Sequence, residues 1–232
     1  MNIAIITARG GSKRIPGKNI RPFCGRPILV YSIEAAKESG IFDIVMVSTD
    51  DKKIAEIACG AGAEVPFLRS KAASDDHATT SDVLREVLEQ YRQRGQEFAI
   101  AACLYPTAPF VTAQKLKAAA RLLHDRPEAD TVMPVVRFSF PPQRAVFLKD
   151  GLLVKADPHS YGMRSQDLQP MYHDCGQFYL FRPDRFLDTG QLIGENVIPM
   201  EMNELEVQDI DNETDWQLAE IKYRIMRPKS AE

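Results

Sequence analysis

An α/β fold, a mostly parallel sheet with helices on both faces, is predicted by two features of this 232-residue sequence. Short apolar runs rich in β-branched residues recur along it, and stretches of helical periodicity separate them at the spacing of βαβ units. The first run, Ile3 to Ile6, empties directly into a loop holding Gly10, Gly11 and Gly17. That is where open α/β sheets bind their ligands.

The elements follow in order. Pro22 to Gly25 reads as a turn, and Pro27 suits the first turn of a helix whose stripe is Ile28, Leu29, Ser32, Ile33 and Ala36, stopped at Gly40. Asp43 to Asp50 is a second buried strand, and Asp51 to Gly60 a second helix with Ile54, Ala55, Ile57 and Ala58 inward. Glu64 to Leu68 is short and contains Pro66, which places it at an edge. Helical period resumes at Val83, Leu84, Val87, Leu88 and Tyr91, with hydroxyls of Thr79 to Ser81 available as caps. Phe98 to Leu104 is a strand, Thr112 to Leu123 a helix, and Asp130 to Val136 a strand.

After Val136 the rhythm breaks. Residues 138–172 carry paired prolines, a Lys149-Asp150-Gly151 hairpin signal and many aromatics, and read as an antiparallel excursion. Gly176 to Phe181 returns as a strand and Pro183 opens a short helix. Val197 to Met200 and Leu205 to Ile210 supply late strands. Asn212 to Met226 forms a last helix with Leu218, Ile221 and Ile225 on one face. One domain is expected over residues 1–227, with a disordered tail over 228–232.

Hydrophobic content of 44% and charged content of 26% are those of an ordinary soluble globular chain. A net charge of -3 argues against general nucleic-acid binding, so the cations of the first loop are a local device. No apolar run approaches the roughly 18 residues that span a bilayer, and the start lacks a signal peptide's pattern. Cys24, Cys59, Cys103 and Cys175 lack Cys-x-x-Cys spacing, which suggests neither zinc nor a disulfide framework. These features suggest a cytoplasmic enzyme with reduced thiols.

The first loop also carries Arg9, Lys13, Arg14 and Lys18. Glycines let backbone N–H groups approach a ligand, successive N–H groups can cradle an anion, and the cations add full charge, so a polyphosphate is the expected occupant. A bare basic surface loop is the alternative. A Walker A loop is excluded: five residues separate Gly11 from Gly17, and Asn19 stands where the magnesium-binding hydroxyl belongs. No dinucleotide fingerprint is present.

Asp209 and Asp211 are the second signal. On an alternating strand both carboxylates share a side, and converging carboxylates call for a cation, commonly magnesium held jointly with substrate phosphates. Alternatively, Asp211 or Asn212 only caps the last helix. His77 beside Asp75 and Asp76 is poor ligand geometry, His124 and His159 have no evident partners, and no nucleophile motif appears.

Ala8-Arg9-x-x-Ser12-Lys13-x-Ile15-x-x-Lys18-Asn19 resembles the signature of the cytidylyltransferases that activate nonulosonic acids, the sialic and pseudaminic acid family. Asp209-x-Asp211 followed by acids and a helix is similar to a second family feature. The resemblance implies a Rossmann-like nucleotide-diphospho-sugar transferase fold whose excursion pairs with its copy in a homodimer. It implies CTP and a nonulosonic acid as substrates, with Mg2+ on Asp209 and Asp211 and catalysis by Arg9, Lys18 and the two acids. Ala8, Arg9, Gly10, Gly11, Ser12, Lys18, Asn19 and Arg69 would bind CTP, Arg69 near the base unless it is a solvated surface arginine. Lys13 contacts phosphate or only shapes the loop. Thr79 to Ser81 help hold nucleotide or simply cap their helix.

Tyr105 departs from the sialic acid branch, which usually has Gln there. Gln166, Tyr172, His173, Asp174, Gln177 and Tyr179 look more like the pseudaminic acid branch and would bind the sugar, unless the aromatics only pack at the dimer interface. N-acetylneuraminic acid, legionaminic acid and Kdo are the alternative substrates, and a non-catalytic nucleotide-binding protein of the same fold is the alternative from another class.

Overall fold

The computed structural model describes residues 1–12, 14–75 and 77–227. Lys13, Asp76 and the 228–232 tail, with the expectations attached to them, lie outside the described residues.

In chain order the elements are β1 (Asn2–Thr7), β2 (Pro22–Phe23), β3 (Arg26–Pro27), α1 (Ile28–Ser39), β4 (Ile44–Ser48), α2 (Lys52–Gly60), α3 (Thr80–Arg92), β5 (Ile100–Leu104) and α4 (Ala113–Asp125). There follow β6 (Thr131–Arg137), β7 (Val146–Lys149), β8 (Leu152–Lys155), α5 (Pro158–Tyr161), β9 (Tyr172–Asp174), β10 (Phe178–Phe181), α6 (Pro183–Thr189), β11 (Val197–Glu201) and α7 (Glu213–Met226). The main sheet runs β11-β6-β10-β5-β1-β4, with β9 also paired to β6. β1 is parallel to β4 and β5, and β11 to β6, whereas β10 and β9 are antiparallel to their neighbours. The mostly parallel α/β fold with a small antiparallel excursion is therefore the one observed.

Alternation along the strands divides the core. Ala4 and Ile6 of β1 pack with Leu29 and Ile33 of α1, Ile54 of α2 and Leu116 of α4 on one face. Ile3 and Ile5 pack with Leu84, Val87 and Leu88 of α3 and Phe186 of α6 on the other. The caps are local: Asp51 accepts from the amides of Lys53 and Ile54, Thr112 from Lys115, and Thr79 forms a capping box with Asp82. Asp150 and Gly151 both have positive φ, as a two-residue hairpin between twisted strands requires. Cys24, Cys59, Cys103 and Cys175 are free thiols. Burial pushes Cys103 and Cys175 up to about 12, which removes them as nucleophiles near neutral pH. Among the described residues, no helix is long and apolar enough to cross a membrane.

Glu64 to Leu68 lies at the sheet edge as expected, beside the outermost strand β4, and pairs only through a single bridge, Glu64 to Met46, because Pro66 cannot continue a ladder. Two expectations are corrected. Leu205 to Ile210 is not a strand: Glu204–Glu206 forms a 3-10 turn, and the chain is irregular from there to Ile210. The inward face of α7 is Trp216, Ala219 and Tyr223, while Leu218, Ile221 and Ile225 are exposed. The reason is an aromatic shelf of Phe23, Tyr31 and Phe110. Phe23 meets Trp216 edge-on at 5.7 Å and Tyr223 at 5.4 Å, so the larger rings take the buried side.

Candidate active site

A cleft of about 420 Å³ opens at the C-terminal ends of β1 and β5. The loop after β1 lines it with Arg9, Ser12, Arg14, Lys18 and Asn19, the end of β5 with Tyr105 and Thr107, and the break between β9 and β10 with Gly176. β9 and β10 both pair antiparallel with β6, but residues 175–177 leave the ladder between them, with Gly176 at φ 58. The interruption is what brings this backbone to the cleft.

The loop is closed on itself before any ligand arrives. Gly17, at φ 64, precedes a 3-10 turn over Lys18–Ile20, and the buried Asn19 donates its amide to the Arg9 carbonyl at 2.9 Å. Gly10 packs so closely on the start of α2 that a Cβ there would lie 2.9 Å from an Asp51 carboxylate oxygen. Its amide donates to Asp50 at 2.8 Å, and the Ser12 amide donates to the Gly10 carbonyl at 3.0 Å. Two of the expected cradle amides are thus engaged inside the protein. Positive charge in the cleft comes mainly from the side chains of Arg9, Arg14 and Lys18.

Asp209 forms the facing wall. Although its segment is not a strand, the two-sided pattern survives: Val207 and Ile210 are buried, and the acids flank Ile210. Ile210 and Ile15 of the cation loop enter one apolar cluster with Phe23, Ile28, Trp216 and Ala219. Burying both isoleucines in the same place brings together two segments 192 residues apart. Polar contacts reinforce this. Lys18 donates to the Ile210 carbonyl at 2.6 Å, and Arg21 clasps both Glu213 carboxylate oxygens at 2.6 and 2.7 Å while lying 4.6 Å over the Trp216 ring.

The helix-cap alternative for Asp211 is answered by α7 itself. Asn212 is the N-cap and forms a capping box with Asp215, and the Asp211 amide donates to Asp215. That leaves the Asp211 carboxylate for Arg14, at 2.7 Å, and Lys18, at 3.9 Å. Burial lowers the Lys18 pKa, opposed by Asp211 and Asp209. Burial also raises that of Asp209, and repulsion from Asp211 adds to it. A carboxyl group whose pKa is raised by burial and by a neighbouring acid, and which is open to a cleft lined by cations, suits a divalent cation shared with phosphates. Among the described residues there is no cluster of three or more His, Cys, Asp or Glu side chains that could hold a metal ion.

The cytidylyltransferase family model matches residues 3–182. The chain belongs to the cytidylyltransferase family. Over 229 residues this cytidylyltransferase is 38% identical to the pseudaminic acid cytidylyltransferase of Campylobacter jejuni, covering 97% of each chain. It is 33% identical to the CMP-N,N'-diacetyllegionaminic acid synthase of Legionella pneumophila, covering 94% of each. The solved structure of a CMP:2-keto-3-deoxy-manno-octonic acid synthetase complexed with CTP superposes with a TM-score of 0.71 at 18% identity, over 98% of this chain and 99% of that one. At that identity the likeness concerns the fold.

The remaining predicted residues of this cytidylyltransferase divide clearly. Ala8 is buried, its amide bonded to the Ser48 carbonyl, and Gly11 has open space around it. Arg69 is not a solvated surface arginine: it is buried and donates to the Ser48 hydroxyl at 3.0 Å and the Ser48 carbonyl at 2.6 Å. Thr79 is the cap of α3, and the Thr80 hydroxyl lies 3.5 Å from that of Tyr105.

The six sugar residues do not form one patch. Gln166 lines a second cleft, of about 380 Å³, beside Arg137 and Phe138. Tyr172, His173 and Asp174 are exposed on β9, where the His173 ring lies tilted against Phe138 at 4.6 Å and its Nδ1 meets the Asp174 carbonyl at 2.9 Å. Tyr179 is buried, donates to Asp174, and stands edge-on to Tyr105 at 5.9 Å. Gln177 is buried and donates to the Glu206 carbonyl.

Sequence reasoning left Thr7, Arg14, Tyr105, Thr107 and Gly176 out of the nucleotide set, although all line the cleft. The rule that ligands sit at C-terminal strand ends would have found Thr7, Tyr105 and Thr107. Gly176 carried no such signal.

Proposed function

We propose that this chain joins CTP to a nonulosonic acid, pseudaminic acid in the first instance, giving the CMP-sugar and pyrophosphate. One observation carries the reading: the acid segment meets the cation loop at one cleft, with Asp209 in the lining and Asp211 ion-paired to Arg14 and Lys18 of that loop. The identity to a pseudaminic acid cytidylyltransferase over nearly the whole chain supports the choice of sugar.

In this reading Arg9 and Lys18 hold the triphosphate, and their charge stabilises the pyrophosphate as it leaves. Ser12, Asn19 and the backbone from Ala8 to Gly11 shape the nucleotide's seat, and Arg69 stiffens the end of β4 beside the base. Asp209 and Asp211 would hold Mg2+, which supplies charge neutralisation on the phosphates. Arg14, paired with Asp211 here, exchanges that carboxylate for phosphate as the nucleotide enters. The sugar hydroxyl approaches the α-phosphorus from the side of Tyr105 and Gly176. The exposed Tyr172, His173 and Asp174 of β9, and Gln166 in the second cleft, are the side chains open to a sugar. Buried Tyr179 acts through Asp174, and buried Gln177 through the Glu206 carbonyl. Catalysis is then positioning and charge stabilisation.

Pyrophosphate release, assayed with CTP, Mg2+ and a panel of pseudaminic, legionaminic, N-acetylneuraminic and Kdo acids, tests the assignment. Turnover is expected with pseudaminic acid. Turnover confined to another acid replaces the sugar, and none with any acid leaves a nucleotide-binding protein.

The protein is further proposed to be a homodimer through the β7–β8 hairpin. Two strands alone are marginal in water, and here both hairpin faces are apolar and exposed. Leu148 faces Leu153 across the ladder and Phe147 faces Val154; Leu148 is 83% and Phe140, nearby, 86% exposed. Changing Leu148 and Leu153 together to Glu is expected to give a folded monomer by sedimentation. A native protein already monomeric at assay concentration would end this proposal.

A further inference from the structure

The segment that carries the two acids has no ladder to hold it. Between β11 and α7 the chain makes one 3-10 turn, Glu204–Glu206, and is otherwise irregular. Ile210 anchors its far end in the aromatic cluster. Its near end is held by side chains from three other elements, and they converge on that single turn.

Lys115 of α4 is the central one. Its side chain is only 12% exposed, and its ammonium group lies 3.1 Å from Glu206 Oε1 and donates to the Phe110 carbonyl at 3.0 Å. Gln177, 2% exposed, donates its amide N–H to the Glu206 main-chain carbonyl, while its own Oε1 is buried with no hydrogen-bond partner. Lys222 of α7 donates to the carbonyls of Glu204, at 3.2 Å, and Val207, at 2.7 Å. The Gln177 carbonyl also accepts from the Tyr105 amide at 2.9 Å, so this residue joins the acid segment to the wall of the cleft that carries Tyr105.

Stability does not account for these groups. Desolvating an ammonium and a carboxylate typically cancels what their pairing returns, and apolar side chains of similar size do as well or better. An amide oxygen left buried and unpaired is a further cost. Such groups do, however, define a single position, because a charge pair and an aimed amide tolerate little displacement.

We propose that Lys115 and Gln177 are positioning residues, which place Asp209 and Asp211 by fixing the Glu204–Glu206 turn through Glu206. The inference rests on the acid pair being the cation site.

The test uses Mn2+ as probe, with water-proton relaxation in the presence of CTP, which separates the slowly tumbling ternary complex from Mn2+–CTP in solution. Two variants are compared with the native protein: Lys115→Met, and Lys115→Met combined with Glu206→Leu. The double variant replaces the partly buried pair by apolar groups and carries the test where the single one does not fold. Expected is a urea midpoint close to native in the double variant, with Mn2+ affinity weakened by roughly 10- to 100-fold. kcat falls while KM for CTP changes little, because the triphosphate loop is untouched. Lys115→Arg restores most of the Mn2+ affinity. Folded variants that bind Mn2+ as the native protein does would overturn the positioning role and leave the acid pair standing. A native protein that binds no Mn2+ with CTP overturns the acid-pair reading and this inference with it.

Discussion

Asp211→Ala is expected to lower Mg2+-dependent turnover by on the order of a thousandfold, the several kcal/mol that a correctly held metal contributes to a charged transition state, while leaving the fold nearly as stable as before. Both halves follow from geometry. The helix cap belongs to Asn212 and Asp215, so deleting the Asp211 carboxylate does not unfasten α7. Its partner Arg14 is largely solvent-exposed, and exposed pairs typically contribute about 0–1 kcal/mol. What is lost is one of two converging carboxylates opposite Lys18. Pyrophosphate release and a urea titration on the same preparation decide the matter. A variant that is strongly destabilised, but whose folded fraction turns over at the native rate, would return Asp211 to a purely structural role.

Phe23→Ala is expected to have the largest effect on stability, about 3–5 kcal/mol, the usual cost of emptying a buried phenylalanine site. That is a large share of the 5–15 kcal/mol typical of a whole domain. Phe23 is fully buried and meets Tyr31, Trp216 and Tyr223 edge-on, so few neighbours can collapse into the space it leaves. The same cluster contains Ile15 and Ile210, so the damage reaches the site. CTP binding should weaken along with stability, even though Phe23 lies outside the cleft lining. Chemical denaturation and CTP titration of the variant check the two effects. A loss below about 1 kcal/mol, or unchanged CTP affinity in a destabilised variant, would show that the cluster does not join the two walls as described.

The legible parts of the sequence were those whose cause is local. α1 to α4 begin or end within a residue or two of the expected positions because periodicity, Asp51, Thr79 and Thr112 act over one or two turns. The cation loop was legible because glycines and cations at close spacing after a first strand suit few other purposes. Errors fell where local pattern and distant partner disagree. Leu205 to Ile210 alternates like a strand, yet no strand is available to pair with it, so side chains from α4, α7 and the 175–177 break hold it instead. On α7, Leu218, Ile221 and Ile225 make an adequate apolar stripe. The opposite face wins because Phe23 and Tyr31 offer aromatic partners to Trp216 and Tyr223, a preference no window of α7 contains.

By itself, the order of residues determined an α/β chain with an anion-seeking loop after β1 and two acids before the last helix. Hydrophobic period and turn chemistry act between near neighbours, and those neighbours are written next to one another. That Arg14 meets Asp211, that Lys18 reaches the Ile210 carbonyl, and that Lys115 grips Glu206 were decided only in three dimensions. Burial of Ile15 and Ile210 in one aromatic cluster sets those distances, and burial depends on what else is present, not on spacing along the chain.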